Sequence, residues 1–350
     1  MTEEKHRKFN VIIGNPPFQE TQESTSDKQI FPYFMDNAYK IGEQVELITP
    51  AKFLSNAGKT SRKWNKKMLD DEHLKVLFFE PNSYKVFENT LIEGGVCVTY
   101  RDATKKLGPI GTFVANVTLN NILHKVLKTK GFQSFSSVVY SSDSYKLTPK
   151  LHNDFPDAKD RLSKGHLYSV TTNIFEKLPT IFTSEKNSND DVCIIGREGG
   201  KRIRKYIKKE YILGCKNFKK YKIFVPKSNG SPSLGSGKET AVIGMPILAS
   251  PYVGHTQTFI SMGSFNSKFE ADSALKYVKG QFARSLLATL KVTQHNPSKT
   301  WKNVPMQDFT DKSDIDWTKS IPEIDQQLYK KYNLSDDEIA FIEKNVKEMK

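Results

Sequence analysis

Apolar and polar positions in the first hundred residues switch between short runs and helical spacing. Val11-Ile12-Ile13 is an apolar run closed by Gly14 and the proline pair Pro16-Pro17, which predicts a strand and then a stiff turn. Residues 30–41 carry Phe31, Phe34, Met35, Ala38 and Tyr39 at helical spacing. Residues 45–49 predict a second strand stopped by Pro50, residues 59–69 a basic helix, and residues 75–79 a third strand. Residues 95–100, rich in β-branched side chains, predict a fourth. This alternation of strand and helix predicts a parallel α/β sheet.

Near residue 105 the rhythm changes. Residues 134–144 and 228–236 are rich in hydroxyl side chains and turns, and residues 201–209 read as a helix with Ile203 and Ile207 inward and cations outward. Residues 277–290 predict a helix with Phe282, Leu286 and Leu290 along one face. Residues 324–349 predict two short helices, with Ser335 as N-cap and Glu338 at the capping-box position. The expected organisation is an α/β domain over 1–105, a mixed α+β domain over 106–320 and a helical tail over 321–350.

Composition narrows the function. The 350 residues hold 53 Lys and Arg against 39 Asp and Glu, a net charge of +14, and 37% are hydrophobic. That is enough apolar material for packed cores, and so basic a chain suits a polyanion, nucleic acid first. Cys97, Cys193 and Cys215 show neither a disulfide framework nor metal-ligand spacing, which with the absence of a signal-like or spanning segment predicts a cytoplasmic protein. His255 and His295 lie in polar stretches without ligand-spaced companions, so no metal is expected.

The chemistry concentrates in Gly14-Asn15-Pro16-Pro17-Phe18. A residue before proline is pushed into an extended conformation, and proline fixes its own φ and donates no N–H. What such a loop presents outward are acceptors, the Asn15 amide oxygen and the Pro16 carbonyl, which suit the two N–H donors of an exocyclic amine. Phe18 adds a flat face for a planar ring. Taken alone, Asn-Pro-Pro is also a common turn.

The loop resembles the catalytic loop of amino-group DNA methyltransferases, Asn/Asp/Ser-Pro-Pro-Phe/Tyr/Trp at the end of a sheet strand. Its Asn-Pro-Pro-Phe form after Val-Ile-Ile-Gly resembles adenine-N6 enzymes of restriction–modification systems. Residues 31–50 look like the next helix and strand of that fold. Residues 82–100, with Val86-Phe87 and Ile92-Glu93-Gly94-Gly95-Val96-Cys97, resemble the segment whose phenylalanine stacks on the flipped base. Residues 279–294, with Phe282, Arg284, Lys291, Thr293 and Gln294, look like part of a target-recognition domain. Leu328 to Tyr332 and Glu338 to Glu343 look like the carboxyl-terminal tail.

The resemblance implies a partial Rossmann-like methyltransferase sheet, its carboxyl-terminal half, followed by a DNA-recognition domain. It implies Asn15, Pro16, Pro17 and Phe18 as catalytic residues and Phe18 and Phe87 as stacking residues. The target adenine would be flipped from double-stranded DNA, and its N6 would take a methyl group from S-adenosylmethionine while Asn15 and the Pro16 carbonyl hold the amine.

One part of the pattern is missing. Family members bind S-adenosylmethionine through a glycine-rich loop after a strand and an acidic residue on the next. Only fourteen residues precede Asn15, too few for a βαβ unit. Downstream, Gly235-Ser236-Gly237 lacks a flanking apolar strand, and residues 196–200 lead into a polycationic stretch. The expectation is a sheet with an open edge, completed by a protein partner or an upstream segment that supplies the cofactor module.

Between Arg197 and Lys222 stand eleven Lys and Arg against Glu198 and Glu210, interleaved with Tyr206, Tyr211, Phe218 and Tyr221. Such a block is a candidate phosphate-binding surface. The DNA-contact candidates are Lys201, Arg202, Arg204, Lys205, Lys208, Lys219, Lys220, Arg284, Lys291, Thr293 and Gln294, with Asn296 and residues 227–238 beside them. Pro156-Asp157 has no Glu-x-Lys at the spacing a metal-dependent nuclease needs. The leading expectation is therefore a site-specific adenine-N6 DNA methyltransferase component, incomplete as an isolated chain. The alternatives are a DNA-recognition subunit without catalysis of its own, and a methyltransferase acting on RNA or a protein glutamine.

Overall fold

The computed structural model describes residues 8–20, 28–55, 59–229, 234, 239–291 and 294–349. The chain divides into two compact units, Met1–Ala115 and Asn116–Lys350. Both are mixtures of helices with small sheets.

The first unit opens with β1 (Phe9–Gly14), followed by the two-residue strands β2 (Gln19–Glu20) and β3 (Lys28–Gln29), which pair with each other. Helix α1 (Phe31–Ile41) starts at Phe31-Pro32 and turns Phe31, Met35 and Tyr39 inward, whereas Phe34 is exposed. Strand β4 (Gly42–Pro50) follows, then α2 (Arg62–Leu69), whose cap Ser61 accepts the Trp64 amide through Oγ at 3.2 Å. Strands β5 (Leu74–Glu80) and β6 (Val96–Asp102) complete the sheet. Phe31, Phe53 and Trp64 meet in an aromatic cluster against it.

The sheet order is β1-β4-β6-β5. β1 and β4 run parallel, but β6 is antiparallel to both β4 and β5, which corrects the expectation of an all-parallel sheet. The reason is the connection from β5 to β6, which contains only a short 3₁₀ turn. A parallel crossover needs a longer return, usually a helix. Gly95 makes the return possible: its φ is +79°, and a Cβ there would stand 2.2 Å from the Glu80 carbonyl oxygen.

The second unit contains α3 (Val117–Leu127), β7 (Val139–Tyr140), β8 (Lys146–Leu147), α4 (Pro149–Asp154) and α5 (Ile174–Lys177). Strands β9 (Asp191–Glu198) and β10 (Lys201–Lys208) form a hairpin, followed by β11 (Ile212–Leu213), β12 (Tyr221–Pro226), β13 (Ile247–Ala249), β14 (Val253–His255) and β15 (Phe259–Phe265). The larger sheets are β13-β12-β15-β7 and β10-β9-β14. Four helices close the chain: α6 (Lys268–Lys279), α7 (Gln281–Ala288), α8 (Ile321–Lys331) and α9 (Asp336–Asn345). Helices α8 and α9 pack on α6, α7 and α3 and so belong to this unit rather than to a separate tail.

Three local expectations change here. Residues 201–208 are a strand, not a helix, because Gly199 and Gly200, both at positive φ, fold them back onto β9. The expected helix over 277–290 is interrupted at Gly280, where a Cβ would come within 2.6 Å of the Asp325 carboxylate. His255 is not in a polar loop: it lies on β14, fully buried between the rings of Tyr145 and Phe224. The capping box at Ser335 is present, with Glu338 Oε2 accepting the Ser335 amide at 2.8 Å.

Candidate functional site

β1 delivers Asn15–Phe18 to the end of the sheet. Among the described residues β1 lies at the sheet's margin, paired with β4 through Val11 opposite Gln44 and Ile13 opposite Glu46. Its side chains Phe9, Val11 and Ile13 are 52%, 55% and 74% exposed, so one face of this strand is apolar and uncovered. Ile12 alone of the run packs against the core of the unit.

Asn15 is exposed, Pro16 half-buried and Pro17 exposed, so among the described residues no packed side chains enclose the amide. The far end of the loop is pinned because the Phe18 carbonyl accepts the amides of Ile30 at 3.0 Å and Phe31 at 3.4 Å, tying it to the start of α1. The Phe18 ring lies edge to face with Phe87, their centroids 5.9 Å apart. Both expected stacking residues are thus brought together, and each is half-buried.

Phe87 is held by a hydroxyl knot. The buried Ser83 donates through Oγ to the Thr90 carbonyl at 2.7 Å and accepts the Ile92 amide at 2.8 Å, while its carbonyl accepts the Phe87 amide at 2.8 Å. Beside Phe18 opens a cavity of about 460 Å³ lined by Phe31, Pro50, Phe53, Thr60 and Ile92 among others, with the Lys52–Glu93 ion pair (2.5 Å) on its wall. Asn15 does not line it. Its volume falls in the range of ordinary small-molecule pockets. Sequence reading missed Ser83 and Thr60; a lone hydroxyl residue gives no signal until the chain is folded around it.

No apolar strand among the described residues of this unit runs into a glycine turn and a helix: β1 runs into Asn15-Pro16-Pro17 and β4 into Pro50-Ala51. In the second unit, Gly199-Gly200 is the hairpin turn between β9 and β10, not a phosphate loop.

The basic block of the second unit is redistributed by the strand. Lys201, Arg202, Arg204 and Lys208 are exposed along β10, while Ile203 and Ile207 turn inward. Arg202 donates to the Met245 carbonyl at 3.0 Å and lies over the Phe259 ring; Lys205 reaches Ser184 at 3.2 Å and Glu198 at 3.7 Å. Lys219 is exposed, and Lys220 donates to Asn266 at 2.7 Å.

Arg284 and Lys291 are corrected: both are fully buried and unavailable to a phosphate. Arg284 donates from Nε to the Lys279 and Gly280 carbonyls and from Nη1 to those of Ala241 and Lys347. Burial holds its pKa down to about 10 and that of Lys291 down to about 8. Asn296 is also buried, donating to the Pro226 carbonyl at 3.2 Å. Gln294 is exposed; Thr293 and much of 227–238 lie outside the described residues.

Residues 1–87 match the Eco57I restriction-modification methylase family. The matched segment runs through the Asn-Pro-Pro-Phe loop to Phe87 itself, and it does not extend to residues 279–294 or to the closing helices. No curated protein sequence matches the chain. Among solved structures, the type IIG restriction endonuclease BpuSI is similar over 97% of this chain and 53% of its own, at 10% identity and a TM-score of 0.33. The type IIL restriction-modification enzyme MmeI, solved in complex with DNA, is similar over 95% of this chain and 56% of its own, at 9% identity and a TM-score of 0.36. The chain thus spans little more than half the length of either enzyme. No helix among the described residues is long and apolar enough to cross a membrane.

Proposed function

We propose that this chain is the base-capturing and DNA-recognising portion of a site-specific adenine-N6 DNA methyltransferase of a restriction–modification system. The observation that carries the reading is the pairing of Phe18 with Phe87 beside an exposed Asn15, inside the segment that matches the methylase family. In this reading a flipped adenine stacks against the Phe18–Phe87 pair, and its amino group donates to the Asn15 amide oxygen and the Pro16 carbonyl. As positive charge grows on N6, these fixed dipoles stabilise it more in the transition state than in the ground state. No strong base is needed for that step. S-adenosylmethionine, the donor such methylases use, would be held outside the described residues.

The uncovered face of β1 supports a second part of the reading. A strand that, among the described residues, stands at the margin of its sheet and carries three exposed apolar side chains accepts a further strand, from another polypeptide or an upstream segment. The exposed cations of β10, with Lys219 and Lys220, supply contacts to DNA phosphates.

The test is genomic adenine methylation in a host free of its own N6-methyladenine, with the chain produced together with its upstream reading frame. Methylation at one sequence motif, lost in Asn15→Ala while duplex binding persists, is the expected result. An unchanged methylation rate in Asn15→Ala favours a recognition subunit whose loop takes no part in the chemistry.

A further inference from the structure

The second unit holds a cleft of about 930 Å³, larger than the cavity beside Phe18, walled by Lys208, Lys209, Lys216 and Lys219. Its floor is apolar, formed by Ile212, Leu213, Cys215 and Phe218, and Leu213 is 63% exposed. Asp190 and Glu210 also line it, so four lysines share the cleft with two acidic residues. Glu210 is in addition 3.9 Å from Lys150.

The wall made by residues 214–220 is a loop, yet its shape is fixed from below. Lys222, fully buried, donates its three N–H groups to the carbonyls of Phe218 (3.1 Å), Lys220 (2.8 Å) and Ser250 (2.9 Å). Asn217, also fully buried, donates to Ser261 and Gly263, and its oxygen accepts from the Tyr145 hydroxyl and the Cys215 thiol. A Cβ on Gly214 would fall 2.3 Å from the Phe218 ring, so the loop closes tightly on that ring. The Lys209 ammonium stands 4.5 Å from the centroid of the Tyr252 ring, a cation–π contact beside the cleft.

We propose that this cleft seats one sugar–phosphate strand of duplex DNA. A strand alternates anionic phosphates with apolar deoxyribose faces. The cleft is lined by partners for both, lysines and apolar side chains. The four lysines come from two separate chain segments, 208–209 and 216–219, which suits a line of charges better than a single small anion. Contacts of this class fix the register of the protein on the duplex and carry no sequence information. Lys209 and Lys216 thereby become DNA-binding residues, and the wall is ordered before DNA arrives, so little entropy is lost on binding. The inference rests on the DNA-binding reading of the second unit and assigns the track along which the backbone runs.

The experiment is fluorescence anisotropy of the full chain with two labelled duplexes of unrelated sequence, between 50 and 200 mM salt. The triple variant Lys209→Gln, Lys216→Gln, Lys219→Gln is compared with a control triple, Lys299→Gln, Lys302→Gln, Lys312→Gln, built on exposed lysines elsewhere in the same unit. Each phosphate contact contributes about 0.9 to the slope of log affinity against log salt. The cleft triple is expected to lose about 2 to 3 from that slope and at least tenfold in affinity, equally for both duplexes, while the control keeps the native slope. A cleft triple with native slope and affinity overturns the proposal and leaves DNA binding by other residues standing. A loss confined to one duplex also overturns it, since that marks base reading. Failure of the native chain to bind either duplex at 50 mM salt overturns both this inference and the reading it rests on.

Discussion

Phe18 and Phe87 lie edge to face, 5.9 Å between centroids and 72° between planes, although one follows the opening strand and the other a hydrogen-bonded loop before the last strand of the sheet. The contact joins the two aromatic positions that the sequence marked separately. Each ring stays half-exposed, so together they offer a partly open apolar surface rather than a sealed core.

Such a pair is worth about 0.5–1.5 kcal/mol beyond the area it buries. A double-mutant cycle of Phe18→Leu and Phe87→Leu, read by urea unfolding, is expected to return a coupling in that range. Additive effects would mean that the rings do not meet in solution.

Arg284 is expected to act on stability and not on DNA binding. Its guanidinium donates to four main-chain carbonyls drawn from residues 241, 279, 280 and 347, and removing it strands them in a dry interior. Arg284→Gln should destabilise the protein by about 2–4 kcal/mol. Thermal unfolding reads the loss, and duplex affinity measured well below the new midpoint should stay native. A selective loss of affinity at native stability would restore Arg284 as a DNA contact.

Asp325 gives a pH dependence of defined sign. Its carboxylate accepts the first amides of α7, Gln281 at 2.7 Å and Phe282 at 3.1 Å. Burial pushes its pKa up to about 6, against the pull of those two amides and of Arg284. An unfolded aspartate titrates near ~4, so between about pH 4 and 6 the folded chain binds more protons than the unfolded one. The stability that protonation of Asp325 provides is present below about pH 4, is lost as pH rises through about 6, and stays lost above. The difference in unfolding free energy between native protein and Asp325→Asn should shrink across that window and then level off. Urea titrations at pH 4, 5, 6 and 7 measure it, and a flat difference would contradict the assignment.

Several features of both units were legible in the sequence because their signals are local. The Val11-Ile12-Ile13 run, the prolines after it and the Ser335–Glu338 box each specify their own geometry. Sheet direction is not local: β6 runs antiparallel because its short connection allows nothing else, and the clue lay in the missing helix between Glu80 and Val96 rather than in the strand. Ile203 and Ile207 stand four apart, a spacing that helix and strand both satisfy. The Gly199-Gly200 turn and the pairing with β9 decided between them. Arg284 and Lys291 look exposed by residue type, and only the arrival of distant carbonyls around Arg284 makes its burial tolerable. The cleft of the second unit was invisible for the same reason, since its lysines come from two chain segments, one of them held by the buried Lys222.

The bare rim of β1 has a practical corollary. The methyl and phenyl groups of Phe9, Val11 and Ile13 stand exposed along one side of the strand and adhere to apolar neighbours with little regard to their identity. In a concentrated solution, the most adhesive part of this unit is therefore not its lysines, which repel one another, but the apolar face of a six-residue strand.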